Sequence, residues 1–387
     1  MATDEANANT APAPQNGQQP VDVREIEDAL TQLWMTNQAG GRSGMQAYIL
    51  NLIIFVGADA DMAEVQGIAA KVGAMHPSRT IILHTHPEGD TNLRAWISAQ
   101  CEFPAHDEHA GSEQVTLEAA GDGVRQLPGT VIPLLIPDVP VVLWWQGEGL
   151  FTHPILPTLM DAADQLVVDT STYADTLNVL SRVHSLATEE YPGVSFRDLS
   201  WGRLTAWREL TAQFFDAPST RPYLDGIHRV QLTYAQDATG EIKPEQALLY
   251  VGWLASRLGW ETIPNLRRVG RQTLLVVRNG DAPVTFELSS QPADDLPPGC
   301  LLTVVLTAQS GDATATFTIQ RADDREHTVV TMEMQGQPPQ ERIVPLIEKS
   351  VAEALTEEVS TVRRDHVYDE ALDVAMRLAS VRSGGSR

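Results

Sequence analysis

The stretch "LPGTVIPLLIPDVPVVLWWQGEG", residues 127–149, limits the possible folds more than any other segment. Between Val131 and Trp145 its only charge is Asp138. A run this apolar must leave water, either for a bilayer or for a core. A spanning helix needs about 20 mainly apolar residues, and Pro133, Pro137 and Pro140 interrupt this one. Proline removes a backbone donor and pushes the preceding residue out of the helical region. The run is therefore read as core: a short helix over "TVIPLLI", a turn at "PDVP", and a buried strand from Val139 to Trp145.

A chain of 387 residues with 43% hydrophobic and 20% charged residues is long enough for two or three cores. "AYILNLIIFVG", "RTIILHTH" and "LVVDTS" read as buried strands, with helices at "DADMAEVQGIAAKVGAMHP" and "YADTLNVLSRVHSLATEE". That alternation predicts an α/β domain over residues 21–193, a mixed, largely parallel sheet with helices on both faces. Past residue 193 the texture changes. A long amphipathic helix is expected over "SFRDLSWGRLTAWRELTAQFFDAP", with Ser200 as its N-cap, followed by a helix over "QALLYVGWLASRLGW" and then alternating strands. Hairpin turns at "RNGD" and "QSGD" and two closing helices complete an α+β domain over 194–380 with a mainly antiparallel sheet. Residues 1–20 and 381–387 read as flexible tails.

The net charge of −24 disfavours a phosphate-backbone partner. The polar N-terminus has no signal-peptide pattern, so a cytoplasmic location is expected. Cys101 and Cys300 match no metal spacing and are too few for a disulfide framework.

In "HTHPEGD", His84 and His86 are two apart on a strand and share a face, an arrangement able to hold zinc. The His-x-His-Pro spacing resembles the start of the JAMM metalloprotease motif. The positions where that motif carries its Ser and Asp hold Ala95 and Ser98, so no metal site is assigned. "NQAGGRSG", with Arg42, precedes a strand instead of opening a helix, unlike a phosphate loop. His106 and His109 lie in a Gly/Asp/Glu-rich loop after Cys101 and lack further ligands nearby in sequence. No G-x-S-x-G elbow occurs. No catalytic residue and no cofactor is expected. The remaining distinctive residues are aromatic: Trp144–Trp145, and Trp201 and Trp207 beside Arg203 and Arg208. Trp and Arg are enriched at binding hot spots, although a buried tryptophan is most often simply core.

"PSRTIILH" (77–84), "ISAQC" (97–101), "SEQVTL" (112–117), "VIPLLIPDVPVVLWWQGE" (131–148), "DAADQLVVDTS" (161–171), "DLSWGRLTAWRELTAQFFD" (198–216) and "GWLASRLGW" (252–260) occur in this order. Together they resemble the OpcA family, the glucose-6-phosphate dehydrogenase assembly proteins. The resemblance implies a non-catalytic protein that binds glucose-6-phosphate dehydrogenase, promotes its active oligomer and supports the oxidative pentose phosphate pathway. Trp144, Trp145, Asp138, Trp201, Arg203, Trp207 and Arg208 are the candidate partner-binding residues. For cyanobacterial members of the family, the resemblance implies a thioredoxin-linked redox control proposed to use cysteines just before the E-x-I-T-L strand. Here Gly111 and Ser112 occupy that neighbourhood, so thiol switching is not expected. The alternative reading is a metal-dependent hydrolase, or a sugar-phosphate enzyme or sensor, using the His84/His86 region.

Overall fold

The computed structural model of the chain describes residues 18–39, 48–100, 111–147, 149–150, 152–240, 242–262, 266–269 and 272–380. Met1–Gln146 with Thr152–Ala163 form one compact unit, and Gly147–Phe151 with Asp164–Arg387 the other. The change of texture near residue 193 falls inside the second unit. Among the described residues no helix is long and apolar enough to cross a membrane.

In the first unit the elements run β1 (Gln19–Val21), α1 (Ile26–Ala39), β2 (Leu50–Val56), α2 (Met62–Met75), β3 (Ser78–His86), β4 (Asn92–Gln100), β5 (Ser112–Ala120), α3 (Leu127–Val131), β6 (Val141–Trp145) and α4 (Leu156–Met160). Its strands lie in the order β1-β4-β5-β3-β2-β6. β5, β3, β2 and β6 are parallel, while β4 and β1 add antiparallel pairs at the edge. The continuous apolar run of β2 is buried at every residue, as a central parallel strand requires. α2 starts where the Asp61 side chain accepts from Ala63 N and Glu64 N, and it buries Val65, Ile68, Ala69 and Val72. β1 begins inside the stretch read as a tail, where Gln19 and Pro20 pair with Ile97 and Trp96.

The proline-broken run resolves with shifted bounds. Its helix starts at Leu127, three residues earlier than expected, and tightens to a 3-10 turn over Ile132–Leu134. β6 begins at Val141, not Val139. Asn51, fully buried in β2, pins the intervening turn: its amide donates to the Ile136 carbonyl at 2.9 Å and accepts from Ile136 N at 2.8 Å. Asp138 takes a φ of 64° at the turn, a left-handed conformation that Asp tolerates better than most residues.

The second unit opens with β7 (Gln165–Val168), α5 (Thr176–Ser185) and β8 (Ser195–Asp198), the two strands pairing in parallel. α6 (Leu199–Arg203), α7 (Thr205–Gln213), β9 (Ile227–Gln236) and α8 (Glu245–Arg257) follow. Then come β10 (Glu261–Thr262), β11 (Arg267–Val269), β12 (Gln272–Asn279), β13 (Ala282–Pro292), β14 (Leu301–Ser310), β15 (Ala313–Arg321), β16 (His327–Met334), β17 (Gln340–Pro345), α9 (Val351–Val359) and α10 (His366–Ala379). Nine described strands form a sheet in the order β10-β12-β13-β9-β14-β15-β16-β17, with β11 on β12. Its pairs are antiparallel except β9 with β13. Gly280 and Gly311, at φ of 58° and 60°, make the two expected tight turns. α8 and α10 approach closely because residue 252 is glycine; a Cβ there would stand 2.0 Å from the Ala371 carbonyl oxygen.

One helix departs from expectation. Asp198, not Ser200, is the N-cap, accepting from Ser200 N. The helix breaks at Leu204 into α6 and α7. Asp198, at the end of β8, is in position to accept the first free N–H, and Gly202 weakens the helix just before the break.

The core of the first unit contains a buried ion pair. Arg79 on β3 and Glu113 on β5 are register partners, with side chains 7% and 1% exposed. The Arg79 guanidinium bonds Glu113, donates to Glu27 on α1, and reaches the Leu134 carbonyl before β6 at 2.5 Å. The Trp34 indole donates to the other Glu113 oxygen at 2.8 Å. Gly111 makes room for that ring, since a Cβ would stand 1.8 Å from it. Removing one partner of such a pair leaves an uncompensated buried charge, which typically costs about 3–5 kcal/mol. Glu113→Ala is therefore expected to lower the unfolding free energy by about 3 kcal/mol or more. Urea denaturation checks it, and a loss under about 1 kcal/mol contradicts the assignment.

Candidate functional site

The parallel strands of the first unit end on one rim, where open α/β sheets place ligands and partners. Phe55 and Trp145 are register partners on β2 and β6, stacked at 3.7 Å between centroids and 11° between planes. His153 meets both rings edge-on, at 4.6 and 5.3 Å, and its burial holds it below the usual imidazole range. Trp144 projects to the opposite sheet face. Each tryptophan is 1% exposed, and neither indole N–H has a hydrogen-bond partner among the described residues.

On the Trp144 face, His84 is the register partner of Glu118 on β5, and His86 follows two residues along β3. The two imidazoles are 4.3 Å apart at 60°, and the ligand atoms of all three residues lie within 4.8 Å of one another. Burial, then the neighbouring His86, lowers the pKa of His84. Nε2 of His84 is buried and has no hydrogen-bond partner among the described residues. The third ligand sought downstream of Pro87 is absent, yet strand register supplies a carboxylate from β5.

In the second unit the candidate residues converge on α6 and α7. Trp201 is buried, its indole donating to Asp365 Oδ2 at 3.0 Å and its ring covered by the Arg208 guanidinium at 3.6 Å. Burial pushes Arg208 down to about 10. Arg203 grips Asp169 through both terminal nitrogens, at 2.9 and 2.6 Å. Burial alone would raise Asp169; Arg203 and Ser171 outweigh it and hold the carboxyl below its usual range. Asp198 accepts from Thr170 N, Thr170 Oγ1 and Ser200 N, but full burial and the charge on Asp169 push it up to about 7. Glu245 is raised well above the carboxylate range, chiefly by burial, and neither oxygen has a hydrogen-bond partner among the described residues. A cavity of about 330 Å³ beside this cluster is lined by Arg203, Trp207, Cys300, Arg321, Leu346 and Glu358.

Trp144, Trp145, Trp201 and Trp207 are thus all interior side chains, Arg203 and Arg208 are half-buried, and Asp138 is exposed on its turn. Asp169, Asp198 and Glu245 were missed by sequence reasoning. The readable trace was a carboxylate closing an apolar strand just before Ser or Thr, in "VVDTS" and "FRDLS". Arg42, Cys101, His106 and His109 lie outside the described residues.

The profile for the glucose-6-phosphate dehydrogenase subunit N-terminal domain matches residues 69–185, and that for its C-terminal domain residues 194–372. The chain belongs to the OpcA family. An OpcA protein of Synechocystis sp., named for the OxPP cycle, is 26% identical over 339 residues, 83% of this chain and 68% of that one. Its namesake from Nostoc punctiforme is 26% identical over 324 residues, 80% and 67% of the two chains. Among solved structures, a mutant of KijD10, a 3-ketoreductase from Actinomadura kijaniata, superposes over 87% of this chain and 98% of its own at 13% identity. Its TM-score of 0.47 is too low to carry a functional argument.

The family blocks map onto internal contacts. "PSRTIILH" and "SEQVTL" contain the Arg79–Glu113 pair, and the "DLSWGRL" segment contains the Asp198 cap and Arg203. Cys300 is 6% exposed among Ala235, Ala293, Leu296 and Leu302, and burial, then Glu348, pushes its thiol up to about 11. It is expected to resist a thiol reagent such as Ellman's in the native chain and to react after denaturation; rapid native labelling in Cys101→Ser would contradict this burial.

A second expectation concerns pH. Asp198 keeps its proton in the folded unit up to about pH 7, whereas the unfolded chain releases it near 3.8. The folded state binds the extra proton between these values, so this group's contribution falls as pH rises from about 4 to about 7. Asp198→Asn is expected to gain on the natural chain in unfolding free energy between about pH 5 and about pH 8. Urea melts at the two pH values measure it, and a pH-independent difference contradicts it.

Proposed function

We propose that this chain is a non-catalytic partner of glucose-6-phosphate dehydrogenase that binds the enzyme and favours its active oligomer. It would thereby support the oxidative pentose phosphate pathway and its NADPH supply. The observation that carries this reading is the succession of both dehydrogenase-subunit domains, N-terminal then C-terminal, along residues 69–372. The local chemistry agrees. Arg197, Arg203 and Arg208 are committed to internal carboxylates or to the Trp201 ring, an arrangement suited to rigid presentation of a surface.

An activator of this kind works by differential affinity: it must bind the active form more tightly than the inactive one. A fivefold to 150-fold preference corresponds to about 1–3 kcal/mol of coupling. Among the proposed partner-binding residues, Asp138 and the exposed edges of Arg203 and Arg208 supply direct contact. Trp144, Trp145, Trp201 and Trp207, being interior, act by holding those surfaces in place. The acidic surface adds long-range steering that weakens with salt.

Co-expression with the host's glucose-6-phosphate dehydrogenase is expected to yield a co-purifying complex and faster NADP+ reduction than the enzyme alone. Absence of both a complex and a kinetic change overturns the reading. Asp138→Asn, which keeps a side chain tolerant of the left-handed turn, is expected to weaken binding several-fold without lowering the thermal midpoint.

A further inference from the structure

We propose that His84, His86 and Glu118 bind one divalent transition-metal ion of the zinc class at the carboxyl rim of the first unit's sheet.

The geometry comes from two periodicities. Alternation along β3 sets His84 and His86 on one face, and the parallel register sets Glu118 directly beside His84. Their ligand atoms lie within 4.8 Å of one another. A tetrahedral zinc with bonds of about 2.0–2.1 Å spaces its ligands about 3.3 Å apart, so small side-chain rotations close the trio onto an ion. All three residues are half-buried, which leaves a path for entry.

The unsatisfied chemistry points the same way. Nε2 of His84 is buried with no hydrogen-bond partner among the described residues. A buried nitrogen lone pair is costly to leave unused, and a metal ion would take it. Arg94, the register partner of Glu118 on β4, forms a long ion pair with Glu118 Oε1 at 3.8 Å, beyond hydrogen-bond reach, which a metal ion would have to displace or share. Two imidazoles and one carboxylate suit zinc, whereas magnesium and calcium favour all-oxygen shells. Three protein ligands leave a fourth position open, the usual condition of zinc sites that meet a further ligand.

The test uses the full-length, tag-free chain, stripped with a chelator and titrated with zinc against a chromogenic competitor. One equivalent is expected to bind. Glu118→Gln and His86→Gln should each weaken binding at least tenfold, while His184→Ala, a second-unit histidine facing Asp373, leaves it unchanged. Zinc should raise the thermal midpoint of the natural chain and not that of Glu118→Gln. Cobalt in place of zinc gives a readout that needs no variant. Intense ligand-field bands of a low-coordinate site support the proposal, and the pale spectrum of hexaaqua cobalt overturns it. Absence of stoichiometric uptake, or uptake indifferent to both glutamine variants, overturns it equally.

Discussion

The guanidinium of Arg79 ties β5, α1 and the turn before β6 to β3, through Glu113, Glu27 and the Leu134 carbonyl. A buried charge is tolerable only when its donors are used, and here the second Glu113 oxygen is also taken, by Trp34. The pair therefore acts as a register device as much as a source of stability. A slip of one residue between β3 and β5 would separate it and turn every side chain to the opposite face. The same register that joins Arg79 to Glu113 places Glu118 beside His84 five residues further along. The polar interaction at one end of the strand pair thus sets the chemistry at the other.

The second unit follows a related logic. Asp169, Asp198 and Glu245 are buried near one another's charge, and Arg203 neutralises only the first at close range. The consequence is a division of roles set by environment: Asp169 stays ionised, while Asp198 and Glu245 are pushed toward the protonated form. Such clusters mark functional sites when they face a cleft. In this family member, Asp198 caps α6, and Asp169 holds Ser200 and Arg203 on that helix.

Much of the architecture was legible in the sequence because it rests on periodicity. The continuous run of β2, the apolar stripe of α2 and the alternating strands after residue 272 each announce the face they bury. The proline-broken run was legible as core for the same reason, while its exact bounds were not, since the 3-10 tightening before Pro137 and the clamp by Asn51 depend on packing. Ser200 is a reasonable cap by local rules, but its hydroxyl donates to Asp169 and Asp198 takes the capping position. The parallel β9–β13 pair leaves no local trace, because its partners are separated by α8 and three further strands.

The sequence by itself determined which segments leave water, the α/β and α+β textures of its two parts, and a set of blocks specific enough to identify the family. Tertiary structure alone decided which charges meet. Arg79 with Glu113, His84 with Glu118, and Asp169 with Arg203 are each separated by more than thirty positions. Periodicity reports only the face on which a residue lies. Pairing across strands follows from register, which is set by all the contacts of the sheet at once.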